Sequence, residues 1–486
     1  MIFTTIRESK GKVSTDTTLV SFRQDTNPPA LVSSAGGATL FIGIGKREEI
    51  THRKLAMLAR KVVQISKQHR LKKITIRLDD FHFPKTRALN EKGLAELLAQ
   101  NFELANFEFT KLKTTPPEGW PVVEELEIIH SNILKNVGMK GLRQGLLRGR
   151  LIGEEVNACR TLANTPGGDM TPKALAEAAK EAAKGTKIDV TVLGQKALEN
   201  LKMGAILGVA RGSQEEPQFI IMEYWGAGPS ARSARSGQPK PVVLVGKGVT
   251  FDSGGLNVKP GDSMYEMHMD MSGGAAVIHA IVLAAKLGLK KNVVGLIPAV
   301  ENMPSGSSYH PGDVLRSLSG KTIEVLNTDA EGRVILADAL TYAKQYQPRL
   351  VVDVATLTGA ALVALGQHAS AILTRDPKLE KLFQELGEES GDYVWPMPLW
   401  DEYEEYVKGT FGDVSNIASS GNTRYGGVIN GAMFLYQFTK KEDGSAAYPW
   451  VHIDMAPRMT SAPSDNLAKG ATGEPVRLLL KVIERL

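Results

Sequence analysis

The stretch that decides the fold runs Lys321-Thr-Ile-Glu-Val-Leu-Asn-Thr-Asp-Ala-Glu-Gly-Arg-Val-Ile-Leu-Ala-Asp-Ala-Leu-Thr-Tyr-Ala-Lys344. Its first six residues, through Leu326, have strand composition, and from Val334 to Lys344 apolar residues recur at helical spacing. Asn327–Arg333 therefore occupies a strand-to-helix junction, which is where open α/β sheets gather their ligands. Asp329, Glu331, the flexible Gly332 and Arg333 all fall within this one loop, so it reads as catalytic.

Working outward, a second dense stretch lies upstream. The apolar run Val242-Val-Leu-Val245 feeds Gly246-Lys-Gly-Val-Thr-Phe-Asp-Ser-Gly-Gly255, which places Lys247 and Asp252 in the loop after a strand, among glycines that permit close backbone approach to a ligand. Lys259-Pro260 follows. Met267-His-Met-Asp-Met-Ser-Gly-Gly274 then sets Asp270 just ahead of a helical run, Ala275 to Leu287.

The chain has 486 residues, more than the roughly 250–300 at which one hydrophobic core stops growing, so at least two domains are expected. Residues 1–150 alternate strand-like runs (Leu40–Ile44, Lys73–Arg77) with helical ones (Arg53–Lys67, Glu91–Phe102), which predicts a smaller N-terminal α/β domain. Residues 151–170 form a linker helix and junction, and a helical stretch from Gly141 to Ala163 bridges the two domains. Residues 171–486 form a larger catalytic α/β domain. It opens on a helix capped by Thr171-Pro172 and stopped at Gly185, and its strands Val242–Val245, Val293–Ile297 and Leu350–Val354 imply a mostly parallel central sheet. Ala227 to Lys240, with Ser, Arg, Gly and Pro, reads as an exposed loop.

A net charge of +5 without long basic blocks favours a solvated surface over a nucleic-acid face; Arg70–Lys73 and Arg143–Arg150 are the densest clusters. The lone Cys159 permits no intramolecular disulfide and reads as a buried thiol. The N-terminal residues lack the basic start and apolar run of a signal peptide, and no run of about eighteen uninterrupted apolar residues exists, so a cytoplasmic protein without a membrane segment is expected.

Asp252, Asp270, Asp329 and Glu331 in one pocket would repel strongly, and Lys247, Lys259 and Arg333 would offset that only in part, so cations are required. Hard oxygen ligands suit Mg or Mn, and two-metal hydrolases accept Zn, so ligand type leaves the ion open. Spacing alone does not establish that the four converge. The histidines, His268 and His452 included, read as structural, since none forms an H-E-x-x-H pair, and Trp450 reads as core. A serine hydrolase is disfavoured by the absence of a G-x-S-x-G elbow. Gly320-Lys-Thr322 ends like a P-loop, but Leu315 stands where its first glycine belongs and a strand follows instead of a helix.

The three blocks together resemble the leucyl (cytosol) aminopeptidases, a family of two-metal exopeptidases. The succession Lys247, Asp252, Lys259, Asp270, Asp329, Glu331, Arg333 is similar to theirs in order and spacing, as are Asp353-Val-Ala-Thr-Leu-Thr-Gly-Ala360, Gly426-Gly427 and Trp450-Val-His-Ile-Asp-Met-Ala456. Asn164–Pro172, with Gly167-Gly168, and Pro457 depart from the pattern. The resemblance covers residues from about 150 onward. It implies two divalent ions per subunit, Mn or Zn with Mg or Co as alternatives, bridged by Asp252 and Glu331; Asp329 completes one site, and Asp270 with Lys247 the other. It implies further that Lys259 stabilises an oxyanion, that Arg333 holds a bicarbonate, and that Met267, Thr356 and Gly359 line the pocket for a Leu-like first side chain. The activity implied is release of N-terminal residues from peptide substrates by a hydroxide that the two metals activate. A homohexamer is implied too, and some bacterial members also bind DNA, so a nucleic-acid partner stays open.

Overall fold

The computed structural model describes residues 3–8, 16–34, 37–130, 139–228, 239–421 and 424–486, and counts below refer to these residues. Most of the loop expected at Ala227–Lys240 lies outside the described residues. The chain divides into two compact units, Met1–Asn157 with Ser461–Lys469, and Ala158–Thr460 with Gly470–Leu486. The division falls inside the helix Met139–Ala163.

The first unit carries β1 (Phe3–Glu8), β2 (Thr18–Arg23), β3 (Ala30–Ser34), β4 (Gly37–Gly43), β5 (Lys73–Arg77) and β6 (Glu125–His130). They form a six-stranded sheet in the order β1-β6-β5-β2-β4-β3, parallel except for the β3–β4 pair. The helix His52–Gln68 starts where the Thr51 side chain accepts the Lys54 N–H, and Glu91–Asn106 starts on Asn90 in the same way. Both bury apolar stripes in one core with Leu40, Ile42, Ile74 and Ile76. None of the sequence-predicted site residues lies in this unit.

The second unit carries β7 (Ile188–Leu193), β8 (Gln218–Trp225), β9 (Val242–Gly246), β10 (Gly248–Asp252), β11 (Asn292–Asn302), β12 (Val314–Arg316), β13 (Thr322–Glu324), β14 (Leu350–Ala355), β15 (Ser370–Leu373), β16 (Val394–Pro396), β17 (Val414–Ser415) and β18 (Trp450–Asp454). Nine of them form the main sheet, in the order β16-β15-β18-β14-β9-β11-β8-β7 with β10 also on β11. The central run β18-β14-β9-β11 is parallel, as expected. Every residue of β9 and β14 is buried, which is why both read as unbroken apolar runs.

Helices cover both faces of that sheet. Val243, Val245, Val294 and Leu296 share a core with Val334, Ile335 and Leu336 of the helix Glu331–Ala343. Gly295 points the other way along β11, and a Cβ on it would come within 2.4 Å of Ile281 in the helix Ser272–Lys286. The stretch Gly261–Lys286 is long and apolar enough to span a membrane, yet 89% of its most apolar window faces the core.

One expectation is revised. The strand before the catalytic loop is β13, and it belongs to a separate three-stranded sheet with β12 and β17 instead of the parallel sheet. Strand composition records a pleated, half-buried environment and carries no information about which sheet supplies it. The Gly246–Gly255 stretch is also more regular than a loop, since Gly248–Asp252 pairs in parallel with β11.

Candidate metal centre

Asp252 ends β10, directly opposite Asn302 at the end of β11. Its Oδ1 accepts the Gly254 N–H at 2.9 Å and the Asn302 side-chain amide at 2.8 Å, which leaves Oδ2 to Lys259 Nζ at 2.8 Å. Lys259 Nζ also lies 2.5 Å from Asp329 Oδ1. Lys247 follows β9, its N–H donating to the Val354 carbonyl and its carbonyl accepting from Gly274, so the main chain aims its side chain before any partner is considered. Its Nζ reaches Asp270 Oδ2 at 2.6 Å, Glu331 Oε1 at 2.9 Å and the Thr356 carbonyl at 3.0 Å. Oxygens of Asp252, Asp329 and Glu331 lie within 4.8 Å of one another.

Gly332 makes this convergence sterically feasible. A Cβ there would sit 2.4 Å from Lys247 Cε, so only glycine lets the lysine pass beneath the first turn of the Glu331–Ala343 helix. Gly167 serves the same unit at one remove, because a Cβ on it would lie 2.8 Å from the ring of Phe251, the residue before Asp252.

Electrostatically the cluster is under-neutralised. Four carboxylates, Asp252, Asp270, Asp329 and Glu331, face two ammonium groups, Lys247 and Lys259. Burial pushes the Asp270, Asp329 and Glu331 carboxyls up, with Asp252 adding to the repulsion and the lysines opposing it. Burial alone would depress Lys247, but Asp270, Glu331 and Asp252 together hold it above the ordinary lysine range, and Lys259 is raised likewise by Asp252, Glu331 and Asp329. The cluster thus favours more positive charge than the chain supplies. Glu331 Oε2 is buried without a hydrogen-bond partner, a cost that oxygen-binding cations would remove. The donor set therefore fits divalent ions.

Arg333 is buried on the same helix. Its Nη1 donates to the Asn416 carbonyl at 2.9 Å, its Nε has no hydrogen-bond partner, and burial lowers it to about 10. Thr356 Oγ1 donates to Asp270 Oδ1 at 2.6 Å, which ties this residue, expected to line the pocket, to the carboxylate cluster. Met267 is half-buried on the short turn Met267–Met269 that leads into Asp270, and Gly359 is exposed at the start of the helix Gly359–Leu365, with nothing within 4 Å of a Cβ built on it. The Met267 carbonyl accepts the Asp270 N–H at 3.4 Å. His452 is buried against Asp353, with Nδ1 2.5 Å from Oδ1, while Trp450 Nε1 donates to Asp353 Oδ2, and Cys159 is buried.

Several supporting residues escape sequence reasoning. Thr328 and Asn257 interlock the two carboxylate loops: the Thr328 N–H donates to Asn257 Oδ1 at 2.8 Å, and the Asn257 N–H donates to Thr328 Oγ1 at 2.9 Å. The buried Tyr309 hydroxyl donates to the Thr328 carbonyl at 2.7 Å. Asp454, at the end of β18, accepts from the Leu357 N–H and the Thr358 hydroxyl, which sets the turn that carries Thr356. Polar residues at strand ends, clustered near the loops they serve, were the available signal, but a sequence does not show which of them pair.

The profile of the cytosol aminopeptidase family catalytic domain matches residues 157–480, and that of the family's N-terminal domain matches residues 33–116. Relatives described as "Probable cytosol aminopeptidase" from Nitrosospira multiformis and Saccharophagus degradans are each 41% identical, over 93% and 90% of this chain and 82% and 83% of theirs. Among solved structures, the bottromycin maturation enzyme BotP superposes with a TM-score of 0.81 at 29% identity, covering 97% of this chain and 99% of that one. The same enzyme in complex with Mn gives 0.82 at 28% identity. With both domain profiles matched and relatives aligned over most of its length, the chain belongs to the cytosol aminopeptidase family and is a metal-dependent aminopeptidase.

Proposed function

We propose that the enzyme releases N-terminal residues, Leu-like ones by preference, from peptides, using two divalent cations held by Lys247, Asp252, Asp270, Asp329 and Glu331. The observation that carries this reading is the convergence of three carboxylates within 4.8 Å, bracketed by two lysines, with a buried carboxylate oxygen left without a partner. Mn or Zn suits the set, with Mg or Co as alternatives. Bound dications supply Lewis acidity, polarising a carbonyl and lowering the pKa of water. Lys247 would hold a dication in its neutral form, which a neighbouring dication would favour. Lys259 Nζ, less deeply buried than Lys247, is suited to stabilise negative charge developing on the carbonyl oxygen. Arg333, whose Nε lacks a partner, is suited to hold a bicarbonate. Met267, Thr356 and Gly359 bound the pocket for the first side chain, small or apolar as a Leu-like group requires. Six copies per assembly and a cytoplasmic location complete the reading on resemblance alone.

Leucyl-amide and its N-acetyl counterpart, offered with Mn saturating and again after chelation, test the proposal. The free amine should be required, because acetylation removes the lone pair and adds bulk at the closed end of the pocket. Comparable rates on both substrates would make the enzyme an endopeptidase or amidase, and full activity in metal-free protein would remove the cations from the reading.

A further inference from the structure

Asn302 is fully buried, carries no charge and ends a strand that bears no ligand. Its side-chain amide nitrogen donates to Asp252 Oδ1 at 2.8 Å and to the Thr328 carbonyl at 3.0 Å. A single NH2 group thus holds both carboxylate-bearing loops, one leading to Lys259 and the other to Asp329 and Glu331. Two acceptors facing the same atom demand two donor protons, so the amide can adopt only this orientation, and neither a carboxylate nor a hydroxyl can reproduce it. Its backbone serves the same purpose, since the Asn302 carbonyl accepts the Ser253 N–H at 3.0 Å and the Ser253 hydroxyl at 2.7 Å. Asn302 Oδ1 meanwhile has no hydrogen-bond partner and lies 2.8 Å from where a Cβ on Gly255 would be. An unpartnered buried oxygen is tolerated there because the nitrogen is needed on the other side.

We propose that Asn302 is a positioning residue of the metal centre: by hydrogen-bonding both loops it sets the spacing of Asp252 from Asp329 and Glu331, and with it the affinity for divalent ions. Asp252 Oδ1 is taken up by two N–H donors, so Oδ2 is the oxygen turned toward the cluster. Without the amide Asp252 Oδ1 keeps only the Gly254 N–H, and the Thr328 loop loses its tie to β11 while keeping Tyr309, Asn257, Asn416 and the Gly254 carbonyl as anchors. Groups that orient ligands in this way typically change metal affinity about 10–100-fold when removed.

This rests on the metal-binding reading above, and the experiment separates the two. Mn binding to the full-length protein is measured by equilibrium dialysis for wild type, Asn302→Ala and Asn302→Ser, alongside circular-dichroism melts of the metal-free proteins. The expected result is two Mn per wild-type chain, folded variants, and an Mn dissociation constant raised at least about tenfold in Ala. Asn302→Ser should recover less than half of that loss on a logarithmic scale, because one hydroxyl proton cannot serve both acceptors. A wild type that binds no Mn overturns the metal centre itself. Folded variants with wild-type Mn affinity overturn the role of Asn302 alone. Failure of both variants to fold also overturns it, since Asn302 would then be a folding residue.

Discussion

Glu331 gathers the most conflict onto one side chain. It is buried, its Oε1 is paired with Lys247, its Oε2 has no partner, and burial with Asp252 pushes its carboxyl up. Glu331→Gln keeps the shape and removes the charge, so kcat for leucyl substrates should fall at least about a hundredfold with a much smaller change in KM. A loss of tenfold or less would move the chemistry elsewhere. His452 illustrates the same physics away from the cluster. Burial alone would depress its pKa, but Asp353, 2.5 Å away, and Asp454 outweigh burial and the opposing Arg333, and the net shift is upward. Unfolded histidine titrates near 6.5. The stability contributed by charged His452 is therefore complete below that pH and is lost as pH rises through the higher folded value. Melting temperatures should fall more steeply as pH rises above about 6.5 in the wild type than in His452→Asn; parallel slopes would mean that no proton is linked to this pair.

At the scale of elements, the helix Glu331–Ala343 opens with Glu331, Gly332 and Arg333 in its first turn. Glycine there costs about 1 kcal/mol of helix propensity relative to alanine, so propensity alone would favour replacement. The structure reverses that preference, because a Cβ would stand 2.4 Å from Lys247 Cε. Gly332→Ala should melt below the wild type and lose at least about tenfold in kcat/KM, as Lys247 is displaced from Glu331 and Asp270. Full activity in that variant would show that Lys247 need not occupy its present position. The helices and parallel strands were legible in the sequence, Lys73–Arg77 to the residue and Thr171 as an N-cap, because periodicity and capping are local. The placement of β13 in a separate sheet was not, since its partners Val314–Arg316 and Val414–Ser415 are chosen by tertiary packing.

At the scale of the whole molecule, all seven charged residues proposed for the site fall in the second unit, and ions bound there would stabilise the folded form of that unit. With free Mn at about 100 times its dissociation constant the gain is roughly 2.7 kcal/mol. Calorimetry should show a transition that moves up with Mn and down with chelator, while the transition of the first unit stays in place. Coincident thermograms with and without Mn would mean that the folded chain holds no ion.

What the sequence determined by itself was local chemistry: which segments carry Lys247, Asp252, Asp270, Asp329 and Glu331, and that such segments follow strands or precede helices. Side-chain type, period and caps are properties of neighbouring residues, so they survive without a structure. Only the tertiary structure decided that Asp252, Asp329 and Glu331 come within 4.8 Å, that Gly332 clears a path for Lys247, that Asn302 and Tyr309 hold the segments around Asp252 and Thr328, and that Asp454 holds the turn after Thr356. The physical reason is that these hydrogen bonds join positions from 19 to 97 residues apart, where a hydrogen bond depends on sheet order and register and leaves no periodic trace in the chain.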